Sequence, residues 1–175
     1  MLTHWNKLIN TDCKVYELGN HFVYPIMRNG STSLRAVVGK KYENQQISQC
    51  TDMLIFIRDP AERFVSGLKE YCKQNDKDVI ETLALVRQGK VIDRHFSPQW
   101  MWLLHLSKFY TGKVKLLHVD ELHKYCDKHL HKSKHTPEDI MPLDEFVRAD
   151  MELIKHIGQT IELETLVRKC KNVLS

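Results

Sequence analysis

Two short stretches combine cationic, hydroxyl and small residues in the way that suits an oxyanion. In "PIMRNGSTSLR" (25–35), Arg28 and Asn29 precede Gly30 and a run of three hydroxyls, Ser31, Thr32 and Ser33. Glycine allows close backbone approach, hydroxyls and main-chain N–H groups donate, and guanidinium offers a planar cationic fork. Taken alone, the same residues also describe nothing more than a capped helix beside an arginine. In the second stretch, "IRDPAERFVSGLKEY" (57–71), Arg58 stands at the end of an apolar run, and Arg63 and Ser66 follow. A triphosphate loop of the GxxxxGK[ST] kind is absent, because no lysine precedes the hydroxyl residues.

The elements that must position these residues follow from hydrophobic spacing. "KVYEL" (14–18) and "HFVYPI" (21–26) read as strands about a turn at Gly19 and Asn20, and the second runs into the first motif. "STSLRAVVGKKY" then predicts a short helix ending near Gly39. "MLIFI" (53–57) is a continuous apolar run, as expected of a strand buried on both faces, and Asp59 with Pro60 supplies a cap and first position for the next helix. A helix over "DVIETLALVRQGK" would turn Val79, Ile80, Leu83 and Val86 inward and end at Gly89. Ser97 and Pro98 start another helix, and "KVKLLHV" (113–119) a further strand. From about 137 to 174, two or three helices carry Ile154, Ile157, Leu163, Leu166 and Val167 as core candidates.

Strands alternating with helices imply an α/β fold with a small, largely parallel sheet flanked by helices. In such sheets ligands bind at the carboxyl ends of the strands, where both motifs would open. The length of 175 residues suits a single domain, 1–175, with a helical C-terminal part.

Composition narrows the classes. The content of 42% hydrophobic and 27% charged residues is that of an ordinary globular chain. A net charge of +4 favours an anionic ligand and is small for a nucleic-acid binder. No apolar stretch reaches the roughly 20 residues that span a bilayer, and no basic-then-apolar leader begins the chain, so a cytoplasmic location is expected. Five scattered cysteines, Cys13, Cys50, Cys72, Cys126 and Cys170, form no CxxC pair and read as reduced thiols. The segment 123–135 gathers Cys126, His129, His131 and His135 without zinc-finger spacing, and reads as a solvated basic stretch. Trp100 and Trp102 suit core packing more than stacking on a sugar.

Together the two motifs resemble those of sulfotransferases that use 3'-phosphoadenosine 5'-phosphosulfate (PAPS), above all the carbohydrate branch of chondroitin and heparan type. "MRNGSTSLR" is similar to that family's 5'-phosphosulfate loop, with Arg28 where lysine is usual. Arg58-Asp59-Pro60-x-x-Arg63-x-x-Ser66 is similar to the 3'-phosphate motif at every named position. "DRHFSPQ" (93–99) resembles a His-Trp-x-Pro-Gln segment, with Phe96 replacing tryptophan, and "KVKLLHVDEL" resembles a late strand and turn. The likeness runs from about residue 21 to 124.

This resemblance implies a three-layer fold like that of P-loop kinases. It implies that Arg28 and the segment Asn29, Gly30, Ser31, Thr32 and Ser33 hold the 5'-phosphosulfate, and that Arg58 and Ser66 hold the 3'-phosphate. Arg63 is expected either in this site or turned to solvent or an ion pair. The implied reaction moves a sulfuryl group from PAPS to an acceptor hydroxyl, with a carbohydrate favoured, and releases 3'-phosphoadenosine 5'-phosphate (PAP). It calls for no metal. Arg28 would stabilise the leaving phosphate and His95 would take the hydroxyl proton, with Glu43 and Glu70 as alternative bases. Two other classes fit the same loops: a kinase-like nucleotide-dependent phosphotransferase, and a noncatalytic binder of PAP or sulfated ligands.

Overall fold

The structure, a computed structural model, describes residues 12–126 and 144–175. Its centre is one mixed sheet in the order β3-β1-β2-β4-β5-β6. Strand β1 (Lys14–Leu18) turns at Gly19, whose φ of +60° is the left-handed angle a tight hairpin needs, into β2 (His21–Val23). Helix α1 (Ser31–Arg35) follows, then β3 (Lys41–Glu43) and a 3-10 turn, Asn44–Gln49. Strand β4 (Met53–Ile57) leads into α2 (Pro60–Asn75), α3 (Val79–Arg87) and α4 (Gln99–Leu106). The chain returns through β5 (Lys113–His118) and a second 3-10 turn, Val119–Lys124. Last come α5 (Asp144–Ile154), β6 (Thr160–Glu162) and α6 (Leu163–Asn172).

The sheet is parallel only at its centre. β2 pairs with β4 and β4 with β5 in parallel, whereas β1 with β2, β1 with β3 and β5 with β6 are antiparallel. The expected largely parallel sheet is corrected to a mixed one. The reason is two three-residue edge strands, β3 and β6, too short for hydrophobic alternation to betray them. β2 also stops at Val23, short of the expected Ile26, since Pro25 has no N–H for the ladder.

Period-two alternation along β4 divides the core. Met53, Ile55 and Ile57 face the larger cluster, where α2, α4, α5 and α6 pack, and Leu54 and Phe56 face a smaller one closed by Leu34 of α1 and Leu122 of the second 3-10 turn. All five β4 side chains are buried, as a strand covered on both faces requires. Among the C-terminal candidates, Leu163, Leu166 and Val167 are buried and Ile154 and Ile157 are half-buried. Ile80 departs from expectation. It stands 60% exposed at the first turn of α3, where Asp78 caps the amides of Ile80 and Glu81 and turns that edge outward.

Helix α4 also starts differently. Ser97 does not cap it. Instead the Asp150 carboxylate, reaching across from α5, accepts from the N–H groups of Gln99 (2.7 Å) and Trp100 (2.8 Å). All five cysteines are buried. Among the described residues no helix is long and apolar enough to cross a membrane.

Candidate functional site

β2 and β4 are parallel neighbours, so the loops that follow them leave the sheet side by side at its carboxyl edge. The first loop is a sharp one. Asn29 N–H donates to the Ile26 carbonyl (3.1 Å), and Arg28 and Gly30 both take left-handed backbone angles, φ 69° and 75°. Arg28 is therefore a non-glycine residue held in a costly conformation, a form of strain that collects at ligand sites. Gly30 in the left-handed region followed by the helical Ser31 turns consecutive N–H groups toward one point, the geometry of an anion-binding nest. The amides of Ser31, Thr32 and Ser33 have no carbonyl four residues back within the helix. α1 has only five residues, so these donors matter more than its dipole.

Asn29 belongs to the frame of this loop. Its side chain is buried, and Nδ2 donates to the Phe56 carbonyl (2.8 Å) and to Gln99 Oε1 (2.6 Å). Gln99 in turn accepts from Arg58 N–H (3.0 Å) and donates to the Arg58 carbonyl (2.8 Å). One amide thus ties the ends of both motif loops to the start of α4.

Arg63 is the second tie. Only 2% exposed, it points neither to solvent nor to a surface partner. Nε and Nη2 donate to the Met27 carbonyl (3.2 and 3.0 Å), and Nη1 donates to the Ser97 carbonyl. Burial pulls its pKa down to about 10; Asp150 opposes this, and the charges of Arg28 and Arg58 add to it. Three guanidinium groups therefore act on one neighbourhood. Burial likewise pushes Asp150 up to about 6, against the hydrogen bonds it accepts and the Arg63 charge.

Arg28 meets the second motif directly. Its Nη2 donates to Ser66 Oγ at 2.8 Å, its Nη1 lies 3.8 Å from Glu70 Oε2, and its buried Nε has no hydrogen-bond partner among the described residues. Ser66 and Glu70 share a face of α2 at the four-residue spacing. Arg58, mostly buried, reaches Glu62 Oε2 at 3.5 Å. The sequence suggested two separate anion holders, and the structure joins Arg28 to Ser66 between them.

His95 comes to the same place through Gly67. A Cβ at Gly67 would collide with the His95 carbonyl, so α2 and the 93–99 segment touch main chain to main chain one residue beyond Ser66. The imidazole Nδ1 lies 2.5 Å from Asp93 Oδ1, which also accepts the His95 N–H (2.8 Å). Phe96 is buried edge-on against Phe64 and Tyr71, with ring centroids 5.8 and 5.7 Å apart. Trp100 is core, and Trp102 is half-buried and donates to Ser97 Oγ (2.9 Å).

Glu43 is not part of this group. It lies on β3, pairs with Lys41 (2.8 Å) and Lys14 (3.7 Å) and caps the first 3-10 turn, and the bond from Lys41 holds its carboxyl below the ordinary range. Of the residues singled out in the histidine-rich stretch, Cys126 is buried, and His129, His131 and His135 lie outside the described residues. A cleft of about 590 Å³ opens at the opposite, amino-terminal edge, lined by His21, Asp52, Tyr110, Lys113 and Lys115 among others, and shares no residue with the motif loops.

Sequence reasoning missed Gln99, Asp150, Gly67 and Asp93 as organisers of the site. Gly67 carried a signal, being a glycine inside a strong helix pattern. Asp150 carried none, since its partners lie about 50 residues away. No family model, curated protein or solved structure matches the chain.

Proposed function

We propose that this chain is a sulfotransferase that moves the sulfuryl group of PAPS to an acceptor hydroxyl, favouring a carbohydrate, and releases PAP. The observation that carries the reading is the pairing of two arginine-bearing loops at one sheet edge, joined by the 2.8 Å bond from Arg28 to Ser66. Two neighbouring anion holders suit a nucleotide with phosphate-type groups at two positions. The Nε of Arg28, unpartnered among the described residues, is a buried donor that fits an oxyanion there. The P-loop-kinase-like fold is part of the same proposal, supported by the parallel centre β2-β4-β5 and by helices on both faces.

The chain's own residues would divide the work by position. The nest at Gly30 and Ser31, with the following amides and hydroxyls, binds the 5'-group, and Arg28 neutralises charge growing on the leaving oxygen. Ser66, accepting from Arg28, keeps its own hydroxyl proton for a phosphate oxygen, so it couples the two anion positions. Arg58 grips the 3'-phosphate once its 3.5 Å contact with Glu62 yields to the stronger anion. His95 takes the acceptor proton.

The test is a calorimetric titration of the full chain with PAP and, in parallel, with ATP plus magnesium, followed by turnover with PAPS. PAP binding with negligible ATP binding, and sulfation of a carbohydrate acceptor, is the expected result. ATP binding without PAP binding would replace this reading with a phosphotransferase, and PAP binding without turnover on any acceptor would leave a noncatalytic binder.

A further inference from the structure

We infer that Asp93 is the positioning residue for His95, fixing the imidazole as the Nδ1–H tautomer so that Nε2 is left as its basic nitrogen. The inference rests on the sulfotransferase reading for its use, and on the geometry of 93–96 for its existence.

An ionised carboxylate only accepts hydrogen bonds. Asp93 Oδ1 receives two from the same residue, the main-chain N–H of His95 at 2.8 Å and the ring Nδ1 at 2.5 Å. A ring nitrogen at that distance from a carboxylate oxygen must carry the hydrogen, so the lone pair of the neutral ring sits on Nε2. Among the described residues Nε2 takes no hydrogen-bond partner. The pair of hydrogen bonds also fixes the ring's direction, because one oxygen holds both its main chain and its side chain. A third restraint comes from behind. The His95 carbonyl is wedged against Gly67, the Phe96 N–H donates to the Asp93 carbonyl (3.3 Å), and the Phe96 ring is locked between Phe64 and Tyr71. The ring is thus presented by a clamped turn whose main chain abuts α2 at Gly67, not by a loose loop.

In the transfer step the acceptor oxygen forms the new bond to sulfur, while the sulfur–oxygen bond to the phosphate breaks and its electron pair stays on PAP. The hydroxyl proton passes to Nε2. The resulting imidazolium keeps its Nδ1–H on Asp93, whose negative charge offsets the new positive one, and the ring later returns the proton to solvent. Free imidazole side chains favour the other tautomer, with the hydrogen on Nε2, which could not accept a proton there. Asp93 would therefore set how much of the enzyme is competent.

The experiment is 15N NMR of the histidine ring nitrogens in alkaline solution, where imidazoles are neutral, with His95 identified among the ten histidines by its disappearance in His95→Gln. Wild-type protein should show His95 with hydrogen on Nδ1, and Asp93→Ala should shift it to mostly Nε2–H. A wild-type ring already carrying hydrogen on Nε2, or a tautomer unmoved in Asp93→Ala, overturns the inference, and the wild-type measurement needs no variant to fold. With PAPS, Asp93→Ala should lower kcat roughly 10- to 100-fold with little change in the KM for PAPS, as expected of an orienting partner. Unchanged kcat in an enzyme that turns over would also overturn it. Absence of PAP binding in the wild type would instead remove the sulfotransferase reading and leave the tautomer result standing.

Discussion

Arg63 carries a charge where charges seldom lie, and each of its three guanidinium nitrogens donates to a main-chain carbonyl of the two segments it joins. Its role is to hold Met27, in the first motif beside Arg28, against Ser97, just before α4. Arg63→Met should cost about 3 kcal/mol in urea unfolding, because the Met27 and Ser97 carbonyls lose their donors and Asp150 loses a nearby positive charge. Arg63→Lys should cost nearly as much, since a single ammonium cannot span the guanidinium's fork. A loss under about 0.5 kcal/mol in both, the scale of an ordinary surface change, would show that the tie is dispensable. In the proposed function Arg58 has a different task. Arg58→Ala should weaken PAP binding roughly 10- to 100-fold, the scale of a hydrogen bond to a charged group, and leave adenosine 5'-phosphate within about threefold. Equal losses for both nucleotides would remove Arg58 from the 3'-phosphate.

Among the elements, α2 bears most of the site, since Arg63, Ser66, Gly67 and Glu70 all lie on it within two turns. Its glycine shows which of two effects wins. Gly67→Ala gains about 1 kcal/mol of helix propensity. The added Cβ meets the His95 main chain, which cannot swing aside as a flexible side chain would, and overpacking of that kind costs typically 1–3 kcal/mol or more. The variant should be less stable than wild type by thermal unfolding, and its turnover should fall more than its PAP affinity, since the 93–99 segment moves and the first loop does not. A variant more stable than wild type would mean that α2 and this segment do not touch as described. Helix α4 makes the complementary point, because its first amides are capped by a residue of another helix. Its start, and with it Gln99, depends on α5 being docked.

At the scale of the whole molecule, Asp150 gives the fold a pH signature. Burial raises its folded-state pKa from the ordinary 3.8 to about 6, so between about pH 4 and 6 the native protein binds more protons than the unfolded chain. Its contribution to stability therefore falls as pH rises through that window and is level above it. Asp150→Asn lacks this titration, so the Tm of wild type should rise relative to that of the variant between pH 6 and pH 4. Parallel Tm profiles would show that Asp150 does not titrate there. Ligand linkage offers a second global test. PAP at 100 times its Kd adds about 2.7 kcal/mol, which for a chain of this size raises Tm by roughly 5–10 °C. ATP with magnesium at the same concentration should leave Tm unchanged.

What could be read from the chain alone was local or strongly periodic. The unbroken apolar run 53–57 announced a central strand, Asp59 and Pro60 announced the start of α2, and the order of elements placed the Arg28 and Arg58 loops at strand ends. These follow from hydrophobic burial and from donor geometry within a few residues. Tertiary structure decided the rest. The burial of Arg63, the retreat of Asn29 into the frame, the capping of α4 by Asp150 and the collision that requires Gly67 each depend on a partner 27 to 51 residues away. Whether a polar side chain holds a ligand or holds the fold is set by which carbonyls and carboxylates arrive beside it, and hydrophobic spacing carries no record of those meetings. The edge strands β3 and β6 were hidden for a related reason: three residues are too few to show a period, and only the exposed edges of β1 and β5 give them a structure to join.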